Sequence, residues 1–376
     1  MSVSLQDFEV VRPKYEECQE NLLDWFAHIH TQSKNQLQNW NSSESSAFEN
    51  ELREKLFSLG VGENKIERRG FEFNDFNHRN FEEMEIYNLS DAPTGYGLGK
   101  RMALYDELTS NIFEKIYPEN RLLPSHLIHV TCTGYVAPSP AQKLVSSRSS
   151  GSRSMVTHAY HMGCYGSIPS IRIGMGHYFV NGESSDIVHT ELCSLHINPT
   201  NQSTDQLVIQ SLFADGFIKY SVGKSGSSPG FKVLGIHEEV IGDSTSKMTW
   251  VCDEWGFKMS IAREVPLLIR KALEPYLAKL AKIAGVDREV LGKAHYAIHP
   301  GGPKIIQQIA QALDLSENEV EHSQGVLNDY GNMSSATLPH VWDRIVKDPD
   351  IKSGELVVSL AFGPGLTICG ALFEKE

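Results

Sequence analysis

The sequence predicts an α/β fold, because short apolar runs typical of buried strands alternate with longer amphipathic helical patterns. Two strand runs, "HLIHVTCTGY" (126–135) and "MVTHAYHMG" (155–163), lie on either side of a polar segment, and a long helical pattern covers residues 264–285. The alternation occurs on both sides of the middle of the chain. We therefore expect two halves of related architecture, an N-terminal half (1–235) and a C-terminal half (236–376).

The first 60 residues carry two amphipathic helical patterns. "EECQENLLDWFAHIHTQ" places apolar residues with a period near 3.6, and "SSAFENELREKLFSLG" does the same up to Gly60, a typical helix C-cap. Residues 61–97 are polar and have no clear period, so we expect irregular structure there. A further helix is predicted over residues 101–116.

The segments around Cys164 continue the alternation. "SSRSSGSRS" (146–154) is of low complexity and predicts a solvated loop. The strand over 155–163 runs directly into Cys164, and the sequence after it predicts a helix whose first turns tolerate Pro169. "SDIVHTELCSL" predicts a third strand, and "LVIQSLFADGFIKYSVG" predicts two apolar runs separated by a glycine turn.

The C-terminal half begins with the helix over 264–285, in which Pro275 is a candidate kink. "AHYAI" (294–298) predicts a short buried strand that ends in "HPGGPK", and "IIQQIAQALDL" predicts the next helix. Ser316 and Glu319 have the spacing of a capping box. "GVLNDYGNMSSATLPHVWDRI" leads from an irregular stretch into a helix, and "ELVVSLAFGPGLTICGALFEK" predicts a hairpin of two buried strands around "GPG".

Composition and charge exclude several classes of protein. The chain has 376 residues, of which 40% are hydrophobic and 22% charged, as in ordinary globular proteins. A formal net charge of -13 repels phosphate backbones, so we expect no nucleic-acid partner. No apolar run approaches the roughly 20 residues that span a bilayer. The N-terminal segment lacks the basic start and apolar stretch of a signal peptide.

The cysteines are scattered and contain no C-x-x-C pair. There are six of them: Cys18, Cys132, Cys164, Cys193, Cys252 and Cys369. This spacing argues against a zinc site and against a disulfide framework, so we expect no metal and no disulfide bond. Unpaired cysteines suit a reducing compartment, and the cytoplasm is the expected location.

Three potentially reactive side chains each stand at the end of a predicted element: Cys164 in "GCYG", His299 in "IHPGGP" and Asn332 in "YGNMSS". A cysteine nucleophile meets its His and Asn partners in space rather than in sequence, and the turns of an α/β sheet gather at one edge. Each motif alone also has a structural interpretation, as a buried thiol, a turn or a left-handed cap. Only the three together argue for catalysis.

The chemistry that suits this set is acyl transfer followed by carbon–carbon bond formation. A helix N-terminus and a neighbouring imidazole both stabilise a thiolate, so we expect the pKa of Cys164 to be lowered. A thiolate captures the acyl group of a thioester. The N–H groups of His299 and Asn332, aimed at one point, stabilise an enolate or oxyanion, and the loss of one such donor commonly costs about 10²–10³ in rate.

At these residues the sequence resembles the chalcone synthase-like (type III) polyketide synthases of the thiolase superfamily. "MGCYG" is similar to the nucleophile turn of the family, "SLFADG" to its internal loop, "IHPGGPKII" and "VLNDYGNMSSA" to its His and Asn motifs, and "FGPGLT" to its closing loop. The resemblance is clear from about residue 122 to the end, in the order and spacing of the family, and poor over the first 120 residues.

The resemblance implies a thiolase-like five-layered αβαβα fold built from two related halves, a homodimer, and catalysis without a metal or an organic cofactor. It implies Cys164 as the acyl-carrying nucleophile. His299 and Asn332 would assist decarboxylation of a malonyl-type extender and stabilise the enolate, and His299 would also hold Cys164 as a thiolate. The implied substrates are thioesters of coenzyme A, such as acyl-CoA and malonyl-CoA, or of an acyl carrier protein.

Positions around the nucleophile follow from the same resemblance. Ser334 matches a cavity-lining position, and Gly363 and Gly365 would shape the pocket beside the cysteine. Glu191 and His196 are expected to line the acyl cavity, and a role as an added base stays open. The alternative for His196 is an ordinary buried histidine with satisfied hydrogen bonds.

The segment "NKIERRGFE" is similar to a basic family segment that binds the phosphates of coenzyme A. It supplies Lys65, Arg68 and Arg69 as candidate carrier- or CoA-binding residues, with Glu67 in place of one basic residue. "ELCSLH" is closer to bacterial alkylpyrone and alkylresorcinol synthases, which accept long acyl chains. Bulky residues in "FADGFIKYSV" replace small residues of the family.

The expected function is therefore that of a type III polyketide synthase. It would load an acyl group on Cys164, extend it by decarboxylative Claisen condensation and release an alkylpyrone or resorcinol. Three alternatives stay open. One is a single condensation that joins two carrier-protein-bound chains, and another is a Cys-dependent acyltransferase or hydrolase. The third is a non-catalytic partner subunit, against which the intact Cys, His and Asn argue.

Overall fold

The computed structural model describes residues 2–62, 64–226 and 228–376. Its strands are β1 (Val3–Val11), β2 (Tyr15–Cys18), β3 (Arg68–Phe71), β4 (His126–Thr131), β5 (Met155–Tyr160), β6 (Ser185–Leu192), β7 (Asp215–Lys224), β8 (Gly230–Val240), β9 (Met248–Cys252), β10 (Phe257–Ile261), β11 (His295–Ile298), β12 (Leu356–Gly363) and β13 (Thr367–Lys375). Its α-helices are α1 (Gln19–Gln38), α2 (Ser42–Leu59), α3 (Leu98–Ile116), α4 (Pro140–Ser147), α5 (Ser167–Asn181), α6 (Thr204–Gln210), α7 (Val265–Ala284), α8 (Pro303–Leu313), α9 (Glu317–Tyr330) and α10 (Thr337–Lys347). None of these helices is long and apolar enough to cross a membrane.

Nine of the strands form one mixed sheet in the order β11-β12-β13-β8-β1-β7-β6-β4-β5. Within it, β4 is parallel to β5 and β6, β11 is parallel to β12, and the other pairs are antiparallel. The sheet has two groups of strands. The first group is β1, β7, β6, β4 and β5, and the second group is β8, β13, β12 and β11. Among the described residues, the two groups pair where Ser4–Gln6 meets Gly230–Lys232. The expected boundary after residue 235 lies inside β8, which begins the second group of strands.

Two helices, α5 and α10, lie between the two groups of strands. The core around them joins Ile168 of α5 and Trp342 of α10 to residues of both groups, such as Val130 and Phe373. One outer core packs α1 and α3 against the first group of strands, and another packs α7 and α8 against the second group. The predicted α/β class and the five-layered arrangement are confirmed.

The N-terminal segment corrects one prediction, because residues 3–18 form β1 and β2 and not helix. β1 lies at the centre of the large sheet, and Leu5 is fully buried. Its apolar alternation is interrupted by a register shift between Gln6 and Glu9, where Asp7 has a φ of 56°. The interruption hides the period of two on which a strand prediction depends. The helices α1 and α2 are confirmed.

Several local predictions have clear outcomes. The capping box at the start of α9 is confirmed, with the Ser316 N–H donating to Glu319 Oε2 at 2.8 Å. The C-terminal hairpin is confirmed as the antiparallel pair of β12 and β13. The segment 61–97 is irregular apart from β3 and two short 3₁₀ turns, but it is not solvated, since Phe73 and Tyr87 are buried in it.

The predicted glycine turn in "SLFADG" is wrong, because Gly216 lies in β7. A Cβ at Gly216 would overlap the side chain of Met333, so glycine is required there for close approach and not for a turn. The bulky residues that follow also have a structural account. Phe217 is buried in the core under α3, and Lys219 pairs with Asp186 across 3.7 Å.

We predict that Gly216→Ala lowers the free energy of unfolding by about 1–3 kcal/mol, because the new methyl group overpacks the contact with Met333. Urea unfolding followed by circular dichroism measures the change. Gly176→Ala is the matched control, since nothing lies within 4 Å of a Cβ at that helical position, and alanine there stabilises by roughly 0.5–1 kcal/mol. Equal unfolding midpoints for the two variants would contradict the close-approach argument.

Candidate active site

A cavity of about 690 Å³, counting its open mouth, lies at the ends of β4, β5 and β6. The polar and thiol side chains on its wall are Cys132, Thr133, Cys164, Cys193, Ser194, His196, Gln206, Gln210 and Ser334. Ile197, Ile209, Phe213, Trp250, Met259 and Pro364 supply apolar surface, and Gly163 completes the lining. The structure thus brings three residues expected from the sequence, Cys164, His196 and Ser334, to one cavity.

Cys164 lies in a 3₁₀ turn between β5 and α5. Two left-handed residues form the bend before it, His161 with a φ of 56° and Gly163 with a φ of 78°. A Cβ at Gly163 would overlap Pro364, and a Cβ at Gly363 would overlap the ring of Tyr165. The turn that holds Cys164 and the "FGPG" loop therefore pack closely because each places a glycine backbone against a side chain of the other, which fixes Cys164 at the junction of the two groups of strands.

The Cys164 thiol is buried, with its Sγ 3.9 Å from Ser334 Oγ. Burial raises its pKa to about 12, against the weaker opposing effect of the Ser334 hydroxyl. The expected lowering of this pKa is therefore absent from the resting geometry. Cys164 rests as a neutral thiol, and it would have to lose its proton to a base before it could act as a nucleophile.

His299 follows β11 and is buried. Its backbone N–H donates to Leu360 O at 2.8 Å, which fixes the residue against β12. Neither ring nitrogen has a hydrogen-bond partner among the described residues. Burial lowers the pKa of His299 to about 3, so the ring is neutral. It offers one lone pair, which can accept a proton, and one N–H, which can donate a hydrogen bond to an oxyanion.

Asn332 is held in place by a backbone bridge to the "SLFADG" loop. Its N–H donates to Leu212 O at 2.8 Å, and its C=O accepts from the Ala214 N–H at 2.9 Å. Its side-chain Oδ1 accepts from the Ser334 N–H at 2.9 Å. This contact orients the amide, so that Nδ2 points to Gly301, in the loop after His299, at a long 3.5 Å. The amide N–H₂ is thus a donor without a strong partner.

Glu191 is fully buried and does not line the cavity, which corrects that expectation. Its carboxylate accepts hydrogen bonds from the Cys132 N–H at 3.0 Å, from the Thr133 hydroxyl at 2.8 Å and from the Ser335 hydroxyl. Burial raises its pKa, and these hydrogen bonds oppose the rise. Glu191 therefore ties the end of β4 to the segment after Asn332.

His196 lines the cavity but has no nitrogen available as a base. Its Nε2 lies 2.8 Å from Thr133 O, and its Nδ1 accepts from the Phe257 N–H at 3.0 Å, which assigns the proton to Nε2. Its ring stacks on Phe257 with centroids 4.5 Å apart. Burial lowers its pKa to about 3. The open role as an added base is therefore excluded for this resting geometry.

The basic segment is divided between surface and core. Arg69 is fully buried, and its Nη1 donates to the carbonyl oxygens of Gln210 and Phe213, both at 2.7 Å. This burial corrects the expectation that Arg69 binds a carrier phosphate, because its guanidinium does not reach solvent. Lys65 and Arg68 are exposed, and Arg68 pairs with Glu67 at 2.8 Å.

Several lining residues were not identified from the sequence, above all Cys132, Cys193, Trp250 and Met259. One signal was present for Cys132, which follows β4 as Cys164 follows the neighbouring parallel strand β5. Trp250 and Met259 lie on β9 and β10, a separate two-stranded sheet whose position no local pattern gives.

One group of described residues has metal-ligand spacing: Glu321, His322 and Asp348, with His322 Nε2 2.9 Å from Asp348 Oδ2. It does not line the cavity, and it consists of solvent-accessible side chains. The residues of the cavity itself do not form such a group.

Comparison with known proteins identifies relatives of both the sequence and the fold. Residues 235–375 match the family described as "Chalcone and stilbene synthases, C-terminal domain". A 3,5-dihydroxyphenylacetyl-CoA synthase of Amycolatopsis balhimycina is 28% identical over 253 residues, 66% of this chain and 67% of that protein. Type III polyketide synthase C of Arabidopsis thaliana is 28% identical over 260 residues, 67% of each chain.

The probable polyketide synthase 1 of Dictyostelium discoideum is 27% identical over 258 residues, which are 67% of this chain but only 8% of that protein. Among solved structures, the C-terminal type III polyketide synthase domain of Steely1 from Dictyostelium matches with a TM-score of 0.81 at 20% identity. It covers 100% of this chain and 99% of that one. PKS-I of the brown alga Ectocarpus siliculosus also matches at 0.81, with 18% identity and coverage of 100% and 98%.

The solved structures show that the chain has the thiolase-like fold of these polyketide synthases. Residues 235–375 belong to the chalcone and stilbene synthase C-terminal domain family, and the relatives that match about two thirds of the chain include type III polyketide synthases, which are carbon–carbon bond-forming acyltransferases. The family resemblance found in the sequence is confirmed.

We predict that alkylation of Cys164 by iodoacetamide accelerates about tenfold per pH unit between roughly pH 6 and pH 9, with no plateau, because the thiolate fraction rises in that proportion below the pKa. Peptide mass mapping follows Cys164, and the exposed Cys252 is the internal comparator. A rate that levels off below neutral pH would instead indicate a thiolate paired with protonated His299.

Proposed function

We propose that this protein is a condensing enzyme that forms a polyketide on Cys164. A thioester donor loads an acyl group on the thiol, a malonyl thioester extends it, and the product leaves as an alkylpyrone or resorcinol. The observation that carries the proposal is the neutral His299 ring, buried with neither nitrogen partnered among the described residues, in a loop whose Gly301 carbonyl lies 3.5 Å from the oriented amide of Asn332. A buried hydrogen-bond donor without a partner destabilises the folded protein, so its presence here favours a role in binding or catalysis.

In the loading step, the lone pair of the His299 ring takes the proton of the Cys164 thiol. The thiolate attacks the thioester carbonyl, and the donor thiolate leaves and recovers the proton from the imidazolium. The product is an acyl group bound to Cys164 and a neutral imidazole. The step is consistent with a thiol whose pKa is raised to about 12 at rest, because the charged pair forms only while substrate is present.

In the condensation step, the malonyl thioester loses carbon dioxide and leaves an enolate. The N–H of neutral His299 and the amide of Asn332 donate to the enolate oxygen, and the enolate carbon attacks the acyl group on Cys164. The sulfur leaves as thiolate and takes up a proton from water, which regenerates the thiol. The proposal assigns no metal and no organic cofactor, since these side chains supply the base and the hydrogen-bond donors that the steps require and water supplies the last proton.

The exposed residues of the basic segment are the candidates for binding the thioester carrier. With Arg69 buried and Arg68 paired to Glu67, Lys65 is the exposed member of the segment without such a pair in the described contacts. Coenzyme A is the carrier that the relatives' names favour, and acyl carrier protein is the second arm of the test. The unpaired cysteines suit a reducing compartment, and we place the enzyme in the cytoplasm.

We expect that intact-mass spectrometry detects an acyl adduct after incubation with hexanoyl-CoA, and that Cys164→Ala abolishes it. Acyl carrier protein loaded with the same group tests the other carrier. His299→Ala and Asn332→Ala each slow malonyl-CoA decarboxylation by about 10²–10³, because each removes a donor to the enolate.

His295→Ala is the matched control for these variants, since His295 lies at the start of β11 and pairs with Glu355 at 2.7 Å near the surface. It should decarboxylate at the wild-type rate. Wild-type decarboxylation by either active-site variant, or an adduct that persists in Cys164→Ala, would disprove the assignment. Products with more than one extender unit separate iterative synthesis from a single condensation.

We further propose that two copies assemble through β5, the edge strand that leads to Cys164. β5 pairs with β4 on one side only, and Met155 on it is half-exposed. Tyr135, which contacts Tyr160 at the end of β5, is 67% exposed. An unprotected edge with apolar side chains is a ready surface for pairing with a second strand.

Size-exclusion chromatography with light scattering tests this assembly. We expect the wild-type protein to be a dimer and Tyr135→Lys/Met155→Lys to be a monomer, because charged side chains block edge pairing. Leu267→Lys is the control, since Leu267 is similarly exposed but lies on α7. A monomeric wild-type protein, or a double variant that remains dimeric, would rule out this interface.

A further inference from the structure

A set of buried polar groups that does not line the cavity runs through the core around α5 and α10. Its members, which we call the His189 network, are Glu191 and His189 on β6, Ser335 before α10, Tyr220 on β7 and Ser167 at the start of α5. All five residues are fully buried. Because buried polar groups need partners, their hydrogen bonds have to be satisfied within the network or by neighbouring backbone.

His189 lies at the centre of this network. Its Nδ1 lies 3.0 Å from Ser335 Oγ, and its Nε2 lies 3.2 Å from Tyr220 Oη. At one end the Ser335 hydroxyl contacts Glu191 Oε1, and at the other end the Tyr220 hydroxyl lies 3.3 Å from Ser167 O. The Tyr220 hydroxyl therefore has two acceptors at nearly equal distance, the imidazole and a carbonyl, and one proton to share between them.

The charge of Glu191 fixes the direction of these hydrogen bonds. An ionised carboxylate only accepts, so the Ser335 hydroxyl donates to it, and the Ser335 oxygen accepts from His189 Nδ1–H. A neutral imidazole then has its lone pair on Nε2, which accepts from the Tyr220 hydroxyl. With Glu191 ionised, the network thus holds His189 as the Nδ1–H tautomer.

A protonated Glu191 reverses every one of these bonds. Its O–H donates to the Ser335 oxygen, the Ser335 hydroxyl donates to His189 Nδ1, and the imidazole proton lies on Nε2 and donates to Tyr220 Oη. The Tyr220 hydroxyl then donates to Ser167 O. The reversal adds one proton in all, the one on Glu191, and every other group keeps the number of protons that it had.

The other oxygen of the carboxyl group favours this placement of the proton. Glu191 Oε2 accepts from the Cys132 N–H at 3.0 Å and from the Thr133 hydroxyl at 2.8 Å. The Thr133 hydroxyl has Thr131 Oγ1 as its next acceptor, at a long 3.3 Å. Oε1, in contrast, leads through hydroxyl and imidazole groups to a backbone carbonyl.

The two ends of the His189 network lie next to the two turns of the site. Ser335 follows Asn332 by three residues, and Ser167 follows Cys164 by three. The Asn332 segment belongs with α10 and the Cys164 turn with α5. A hydrogen-bonded path between these segments therefore fixes one turn relative to the other.

We propose that His189 is a positioning residue that joins the turns of Cys164 and Asn332, and that its tautomer follows the charge of Glu191. The donor and the acceptor of an imidazole exchange places between its two tautomers, so His189 satisfies its neighbours in both charge states. The network itself does not depend on the proposed function, and only its effect on acyl loading and decarboxylation rests on that function.

The other titratable groups around the network keep one charge between about pH 5 and pH 9. Burial lowers the pKa of His129 on β4 to about 3 and that of His340 on α10 to about 4, and it lowers the pKa of His189 well below its usual value. Burial raises the pKa of the phenol and thiols nearby, which are Tyr220, Cys132, Cys164 and Cys193. Burial also raises the pKa of Glu191, which makes its charge the variable one among these described residues.

Nitrogen-15 NMR of protein labelled in histidine tests the proposal, because the protonated and unprotonated nitrogens of a neutral imidazole have separate shifts. His189→Gln assigns the signals of His189. Wild type and Glu191→Gln are compared at about pH 9, where a carboxyl group is ionised and a glutamine amide still donates to Ser335 as a protonated carboxyl does. We expect the Nδ1–H tautomer of His189 in wild type and the Nε2–H tautomer in Glu191→Gln.

His126 is the matched internal control. It is also buried, and its Nδ1 and Nε2 contact the hydroxyl groups of Ser185 at 2.9 Å and Thr157 at 2.8 Å, but neither contact leads to Glu191. Its tautomer should be the same in both proteins. A second comparison, Ser335→Ala against Ser335→Ala/Glu191→Gln, interrupts the network, and the two proteins should then share one tautomer of His189.

The same tautomer of His189 in wild type and Glu191→Gln would overturn the inference, as would a difference that persists without the Ser335 hydroxyl. If Glu191→Gln does not fold, titration of the wild type from about pH 9 to pH 5 replaces it. A change to the Nε2–H tautomer on acidification then supports the inference, and a constant tautomer overturns it.

Acyl loading from hexanoyl-CoA and decarboxylation of malonyl-CoA test the positioning role. His189→Leu removes donor and acceptor together, and we expect both rates to fall by roughly 10- to 100-fold, since small displacements of reacting groups are costly. His189→Gln keeps one donor and one acceptor and should retain most of both rates. Equal losses in the two variants would contradict the positioning role.

The two arms separate this inference from the proposed function. If wild type neither loads an acyl group nor decarboxylates malonyl-CoA while the tautomer of His189 still follows Glu191, the proposed function fails and the His189 network stands. If loading and decarboxylation proceed while the tautomer is independent of Glu191, the network fails and the proposed function stands.

Discussion

The site depends on one steric constraint, the close packing of glycine backbone against side chains between the turn that holds Cys164 and the "FGPG" loop. Gly163 faces Pro364 and Gly363 faces Tyr165 at distances that leave no room for a Cβ. Because β5 and β12 belong to different groups of strands, this contact places Cys164 at their junction. The thiol is thereby held at a fixed point, against which the other groups of the site are set.

Burial decides the electrostatics of that junction. Cys164 and His299 are both taken out of water, and no ion pair in the described residues compensates them, so both are neutral at rest. The same exclusion of water strengthens any hydrogen bond that the buried donors of His299 and Asn332 form. Asn332 is oriented by neighbouring N–H groups, and Glu191 connects its segment to the end of β4. In the proposed reaction, the site is thus preorganised for charge that develops only as the reaction proceeds.

Two buried arginines hold the walls of the cavity. Arg69 donates to the carbonyls of Gln210 and Phe213, and Arg101 donates to the carbonyls of Leu195 and Ile197. Each guanidinium satisfies several carbonyl groups that would otherwise be orphaned where the chain is irregular. Burial lowers the pKa of Arg69 to about 9, a measure of how far it lies from solvent. Arg69, although it lies in a segment similar to a basic family motif, therefore stabilises the cavity wall.

The sequence by itself determined the α/β class, and it singled out Cys164, His299 and Asn332 as candidate site residues because each stands in a turn whose glycine and proline pattern is local. It did not determine that residues 3–18 enter the central sheet, that Arg69 is buried, or that Glu191 is a hydrogen-bonding hub. Nor did it place Trp250 beside the nucleophile. These features depend on contacts between segments far apart in the chain, and periodicity within one segment carries no information about which distant segment will cover it. Tertiary structure alone decides them, since burial and hydrogen-bond partners exist only once the layers have packed.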